Sequence, residues 1–131
     1  MGRLTTNKPV SEMNMVELAH NCCYADEHMN ARYRDFENDI DARELARKLM
    51  HMFGEWDYDD DEMLIDEVFD FEMHYNLSYG IEDMAGLIAR FYQHLWAMAD
   101  LRERLKHYED LEEQGLLLKL QKDGEQNEQS S

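Results

Sequence analysis

A chain of 131 residues carrying a formal charge of −17 is long enough to bury one core and too short for two independent ones. Thirty carboxylates against thirteen lysines and arginines argue against direct binding to DNA or RNA phosphates and favour a basic partner surface. No charged-then-apolar leader opens the chain, and no run approaches the roughly 18 apolar residues of a membrane span, so a cytoplasmic protein is expected.

The only cysteines, Cys22 and Cys23, are adjacent. Neighbours cannot build a disulfide framework, and free thiols suit a reducing compartment. The acidity is local. From Leu49 to Ala89 there is no lysine or arginine, while twelve carboxylates fall in that stretch and supply −12 of the −17.

Met1 to Val10 shows no periodicity and holds the only proline, Pro9, which predicts a flexible arm or an extended lead-in over residues 1–10. Asn14 followed by Glu17 forms a capping-box pattern, with Met13 and Leu18 placed as its hydrophobic staple. The first helix then runs to about Cys23, with Met15, Leu18, Ala19 and Cys22 on its apolar face. Tyr24 to Asn38 fits neither helical nor strand period and is expected to be irregular. Asp41 caps the next helix, with Glu44 at the capping-box position, and Leu45, Leu49 and Phe53 form its stripe before Gly54 stops it.

A third helix is expected from about Asp60 to Tyr75, burying Leu64, Val68, Phe71 and Tyr75, with Ile65 and Phe69 widening that face. Asn76 to Gly80 turns into one long helix, Ile81 to Glu113. Steps of 4, 3, 4 and 3 carry a seam through Met84, Ile88, Phe91, Leu95 and Met98. Arg102 interrupts it, and the apolar line resumes by slipping to Leu101, Leu105, Tyr108 and Leu111. The seam has two readings, a core face or a homodimer contact. The expected fold is all-α, a small helical bundle of three shorter helices packed on one long C-terminal helix. Residues 11–115 form the domain, and residues 116–131 are expected to be extended at Leu116 to Leu118 and then disordered.

Several constellations bear on chemistry. Asp57, Asp59 and Asp61 match the first three ligand positions of a calcium loop, but Glu62 stands where glycine is needed and Val68 where a bidentate glutamate belongs. His20, Cys22, Cys23 and His28 are zinc-type residues, yet neighbouring helical side chains point about 100° apart, so the two cysteines do not both face one metal unless the helix ends between them. No glycine cluster forms a phosphate loop, and no carboxylate pair stands out as acid and base, so neither an enzyme nor a cofactor is expected. Glu62, Asp66 and Asp70 recur every four residues, a row of like charges about 6 Å apart that resembles successive phosphates. Trp56 and Tyr58 lie beside it, with Asp57, Asp59, Asp60 and Asp61 between.

Three stretches carry a resemblance: MVELAHNCC (Met15–Cys23), RYRDFENDIDAR (Arg32–Arg43) and LWAMADLRERLKHYEDLEEQG (Leu95–Gly115). They resemble small proteins of bacteriophages and prophages of Gram-positive gut bacteria. YEDLEEQG is similar to a segment that recurs near the ends of otherwise different phage proteins, many of which continue past the leucine run. No active site comes with the resemblance. It implies an accessory protein that binds and disables a host protein. Combined with the acidic row, the expected function is a non-enzymatic, anti-CRISPR-like inhibitor of a basic, nucleic-acid-binding host protein. Trp56, Asp57, Tyr58, Asp59, Asp60, Asp61, Glu62, Asp66 and Asp70 form its contact surface. The alternatives are a helical protein dimerising through the Met84 to Met98 seam and a small metal-binding protein.

Overall fold

A computed structural model describes residues 2–53, 56 and 64–115. In chain order the elements are α1 (Met15–Asn21), β1 (Cys23–Ala25), β2 (Ala31–Asp35), β3 (Asn38–Asp41), α2 (Ala42–Met52), α3 (Asp66–Asn76) and α4 (Met84–Glu113), with single 3-10 turns at Val10–Glu12 and Leu77–Tyr79. The expectation of an all-α bundle is therefore wrong. The segment read as irregular is a three-stranded antiparallel sheet in the order β1-β2-β3.

The sheet exists because this segment alternates with period two. Cys23 pairs with Tyr33 and Tyr33 with Ile40, forming an inner row directed at the helices. The intervening positions carry polar chemistry on the outer face: Arg34 stacks over Tyr24 at 4.5 Å, Arg32 binds Asp39 at 2.6 Å, and the Tyr24 hydroxyl donates to Asp39. Asp26 shapes the first turn by accepting from the amides of His28 and Asn30, both at 2.9 Å. The second turn is tight, with Phe36 at φ 55° where hairpins usually recruit glycine.

The helix caps form where local chemistry demands them. Asn14 and Glu17 make the complete capping box of α1, and the Asp41 carboxylate accepts from the amides of Arg43 and Glu44 at the start of α2. Asp83 caps α4 by accepting from Ala85.

Two hydrophobic clusters lie along α4. The first joins Ala46 and Met50 of α2, Phe69 and Met73 of α3, and Ala85, Ile88 and Ala89 of α4. The second joins Cys23, Ala42, Leu95 and Ala99. The expected buried face of α3 is rotated: Leu64, Phe71 and Tyr75 are exposed, whereas Phe69 is fully buried and Met73 nearly so. The α4 face is also shifted, because its core side is built from alanines that let α2 and the sheet approach closely. At the entrance to α4, a Cβ on Gly86 would lie 2.0 Å from the Gly80 carbonyl oxygen, so only glycine admits the turn against the helix.

Beyond Ala99 the core turns polar. Arg102 and Glu109 are buried on α4, and Thr5 and Asn21 are buried opposite them. Asn21 accepts from the Thr6 amide at 2.9 Å and from Arg102 Nε at 3.0 Å, and donates to the Leu4 carbonyl at 3.0 Å. Arg102 Nη2 donates to the Thr6 carbonyl at 3.0 Å, and Nη1 to Glu103 at 2.8 Å. Glu109 accepts from the Leu4 amide at 2.6 Å, the Thr5 amide at 3.0 Å and the Thr5 hydroxyl. The residues ahead of Pro9, read from sequence as an arm, are thus strapped across α1 and α4.

Glu109 gives this strap a pH dependence. Burial pushes its carboxyl up, but the Thr5 hydroxyl, the Leu4 and Thr5 amides and the Arg3 guanidinium outweigh burial and hold it below the ordinary value of 4.5. A depressed folded pKa contributes stability above the unfolded value and loses it as pH falls through the folded one. Urea unfolding midpoints are expected to drop as pH falls below about 4.5, with part of that slope removed in Glu109→Gln, itself destabilised by about 1.5–3 kcal/mol at neutral pH. An unchanged slope in Glu109→Gln would show that the strap's acid sensitivity lies elsewhere.

Candidate functional site

The acidic surface starts on α3, whose Asp66, Glu67 and Asp70 are exposed. Asp66 and Asp70 stand one turn apart, and Arg43 of α2 reaches both, with Nη1 2.6 Å from Asp66 and Nη2 3.0 Å from Asp70. The guanidinium also lies over the Phe69 ring at 5.2 Å, which fixes the fork in place. This answers the like-charge repulsion that the i, i+4 spacing creates: one cation from a neighbouring helix offsets two carboxylates. Both remain accessible, with side chains 72% and 57% exposed.

Apolar surface borders these charges. Phe71 and Tyr75 are 67% and 52% exposed on the same helix as the carboxylates. On its other side an open cavity of about 400 Å³ is lined by Arg43, Asp70, Met73, Leu77, Tyr92 and Trp96. Trp96 stands 61% exposed at this cavity. Sequence reading assigned no role to Trp96 or to the cavity, because both depend on how α2, α3 and α4 converge. No separate signal marked Trp96, which sits among the apolar Leu95, Ala97 and Met98.

Trp56 packs edge-on against Phe69 at 5.6 Å and 87°, and its amide donates to the Met50 carbonyl at 3.3 Å. It is half-buried and belongs to the first core cluster, so its ring is already committed within the chain. Asp57, Tyr58, Asp59, Asp60, Asp61 and Glu62 lie outside the described residues, as do residues 116–131.

The seam proposed for a dimer divides. Ile88 and Leu95 are each 4% exposed in the core, while Met84, Phe91 and Met98 are about 40% exposed. The five residues therefore do not share one free face. The zinc-type residues are also dispersed in role. His20 Nδ1 bonds the Val16 carbonyl at 2.8 Å, and His28 sits beside Glu27 on the surface. The Cys22 and Cys23 sulfurs are 3.9 Å apart. The hydrogen bond between them holds the Cys22 thiol down and pushes Cys23 up, burial adding to the second effect. Among the described residues, no group of three or more His, Cys, Asp or Glu side chains is placed to hold a metal, and no helix is long and apolar enough to cross a membrane. No protein-family model, curated protein or solved structure matches the chain.

Proposed function

We propose that this protein is a non-enzymatic inhibitor that docks on a basic, nucleic-acid-binding host protein, such as a CRISPR effector or another defence nuclease, through α3 and the acidic segment before it. The observation that supports this most directly is the exposed Asp66, Glu67 and Asp70 beside an open, largely apolar cavity. Carboxylates steer a basic partner and suppress wrong ones, while a cavity walled by Met73, Leu77, Tyr92 and Trp96 offers a pocket for one apolar anchor, the kind of contact that dominates interface energy. Arg43 holds two of the carboxylates in position before any partner arrives, so little ordering remains to be done on binding. The small phage proteins that the sequence resembles supply the biological context for such a role.

The test is affinity capture from host lysate at low and high salt, with the captured protein identified and then titrated in purified form. A nucleic-acid-binding partner is expected, bound more weakly as salt rises. Asp66→Asn with Asp70→Asn, and separately Trp96→Ala, are each expected to weaken that binding about 10-fold or more. Affinity unchanged by both sets of substitutions would overturn the assignment of this surface.

A further inference from the structure

The exposed apolar side chains of α4 form a second seam beside the buried one. Steps alternating between three and four residues lead from Met84 through Leu87, Phe91, His94 and Met98. The same alternation continues to Leu101, Leu105 and Tyr108. This is an unbroken 3.5-residue repeat over 25 residues of helix, the period that keeps one stripe facing a supercoiled partner helix. Unlike the line through Ile88 and Leu95, it is largely accessible: Leu87 is 44% exposed, Leu101 58% and Tyr108 56%, while Phe91 also meets Tyr33 edge-on at 5.7 Å and Leu105 is half-buried.

We propose that this stripe pairs with the same stripe of a second copy, forming a homodimer along α4. Three observations choose a second copy as the occupant. The first is area. Seven apolar side chains of about 200 Å² each, left roughly half exposed along about 37 Å of helix, amount to on the order of 600 Å². With flanking residues this approaches the ~800 Å² per partner of a standard interface.

The second is charge. Residues 84–108 contain four cations (Arg90, Arg102, Arg104, Lys106) and two carboxylates (Asp100, Glu103), a net of +2 in a chain of −17. Two copies meeting here bring together the part of the molecule where acidic repulsion is least. The third is shape. Among the described residues the protomer's own body lies mainly on one flank of the stripe, where Ile88, Leu95, Arg102 and Glu109 are buried, and the turn at residues 77–80 meets the other flank at Gly86 and Arg90. Two α4 helices aligned parallel would place the two bodies on opposite flanks, leaving the shared seam clear. His94, the single polar residue in the stripe, fixes the register as a lone polar seam residue does in coiled coils.

Sedimentation equilibrium of the full chain over a wide concentration range tests this. The expected mass is twice 15.7 kDa, retained at high salt because the seam is apolar, in contrast to partner binding through α3. Leu87→Glu combined with Leu101→Glu is expected to weaken the dimer roughly 100-fold or more, with helical content checked by circular dichroism. The milder Leu101→Gln should weaken it in the same direction. Trp96→Glu, which alters a different face of α4, should leave it intact. A monomer at every concentration overturns the proposal, as does a dimer that survives the seam substitutions in folded protein.

Discussion

Phe69→Ala is expected to lower stability by about 3–5 kcal/mol. Phe69 of α3 is fully buried, and α2 and α4 close upon its ring. Trp56 meets it edge-on at 5.6 Å and Tyr92 at 5.1 Å, while the guanidiniums of Arg43 and Arg47 approach the ring at 5.2 and 5.8 Å. Truncation removes the transfer free energy of the ring and leaves a cavity between aromatic walls that cannot collapse without moving a helix. It also removes two edge-to-face contacts, each about 0.5–1.5 kcal/mol. Urea unfolding should show the loss as a lower midpoint, and near-ultraviolet circular dichroism should change as Trp56 loses its neighbour. Phe69→Leu, which keeps most of the volume, should cost about 1–2 kcal/mol. A loss below about 1 kcal/mol for Phe69→Ala would mean that α3 is not held to α4 through this ring.

The same substitution links stability to the proposed function. Phe69 supports the Arg43 side chain that spans Asp66 and Asp70, so loosening the ring loosens the spacing of the carboxylates that face a partner. Binding and stability therefore share one aromatic support, although Phe69 itself contacts no partner in the proposed complex.

How much of this was legible in sequence depended on the range of the interaction. The capping box at Asn14 and Glu17 and the cap at Asp41 were legible because each is settled within four residues. The sheet was not, because its strands are three to five residues long, its outer face is charged, and the turn at Phe36 lacks the usual glycine. The period-two row of Cys23, Tyr33 and Ile40 was present, but each strand shows it for only one or two residues, and the pairing becomes convincing only across the hairpin. In α3 and α4 the pattern of large apolar residues pointed to the wrong face. Phe71, Phe91 and Met98 weigh heavily in a hydrophobic pattern, whereas Ala85, Ala89 and Ala99, which allow close packing, weigh little. The acidic segment was legible as charge, but its pairing with Arg43 and the cavity beside it required three helices to be placed together.

Arg102→Ala is expected to cost about 3–5 kcal/mol and to release the N-terminal strap. Read along the helix, Arg102 looks like a break in the apolar seam. In the fold it is 4% exposed, and its three nitrogens point in different directions, to Asn21, Thr6 and Glu103. Removing the guanidinium leaves the buried Asn21 side-chain oxygen with only the Thr6 amide and strips the Thr6 carbonyl of its donor, so desolvation penalties add to the lost bonds. Lysine is not a substitute, since a single ammonium cannot serve partners fanned out around a planar fork. Hydrogen exchange should become faster at the Leu4, Thr5 and Thr6 amides in Arg102→Ala and Arg102→Lys while the Phe69 core stays protected. Arg102→Ala and Asn21→Ala together should cost less than the sum of the two alone, with a coupling of about 0.5–3 kcal/mol, because they remove members of one network. Strict additivity would show that Arg102 and Asn21 hold the strap independently of one another rather than as one network.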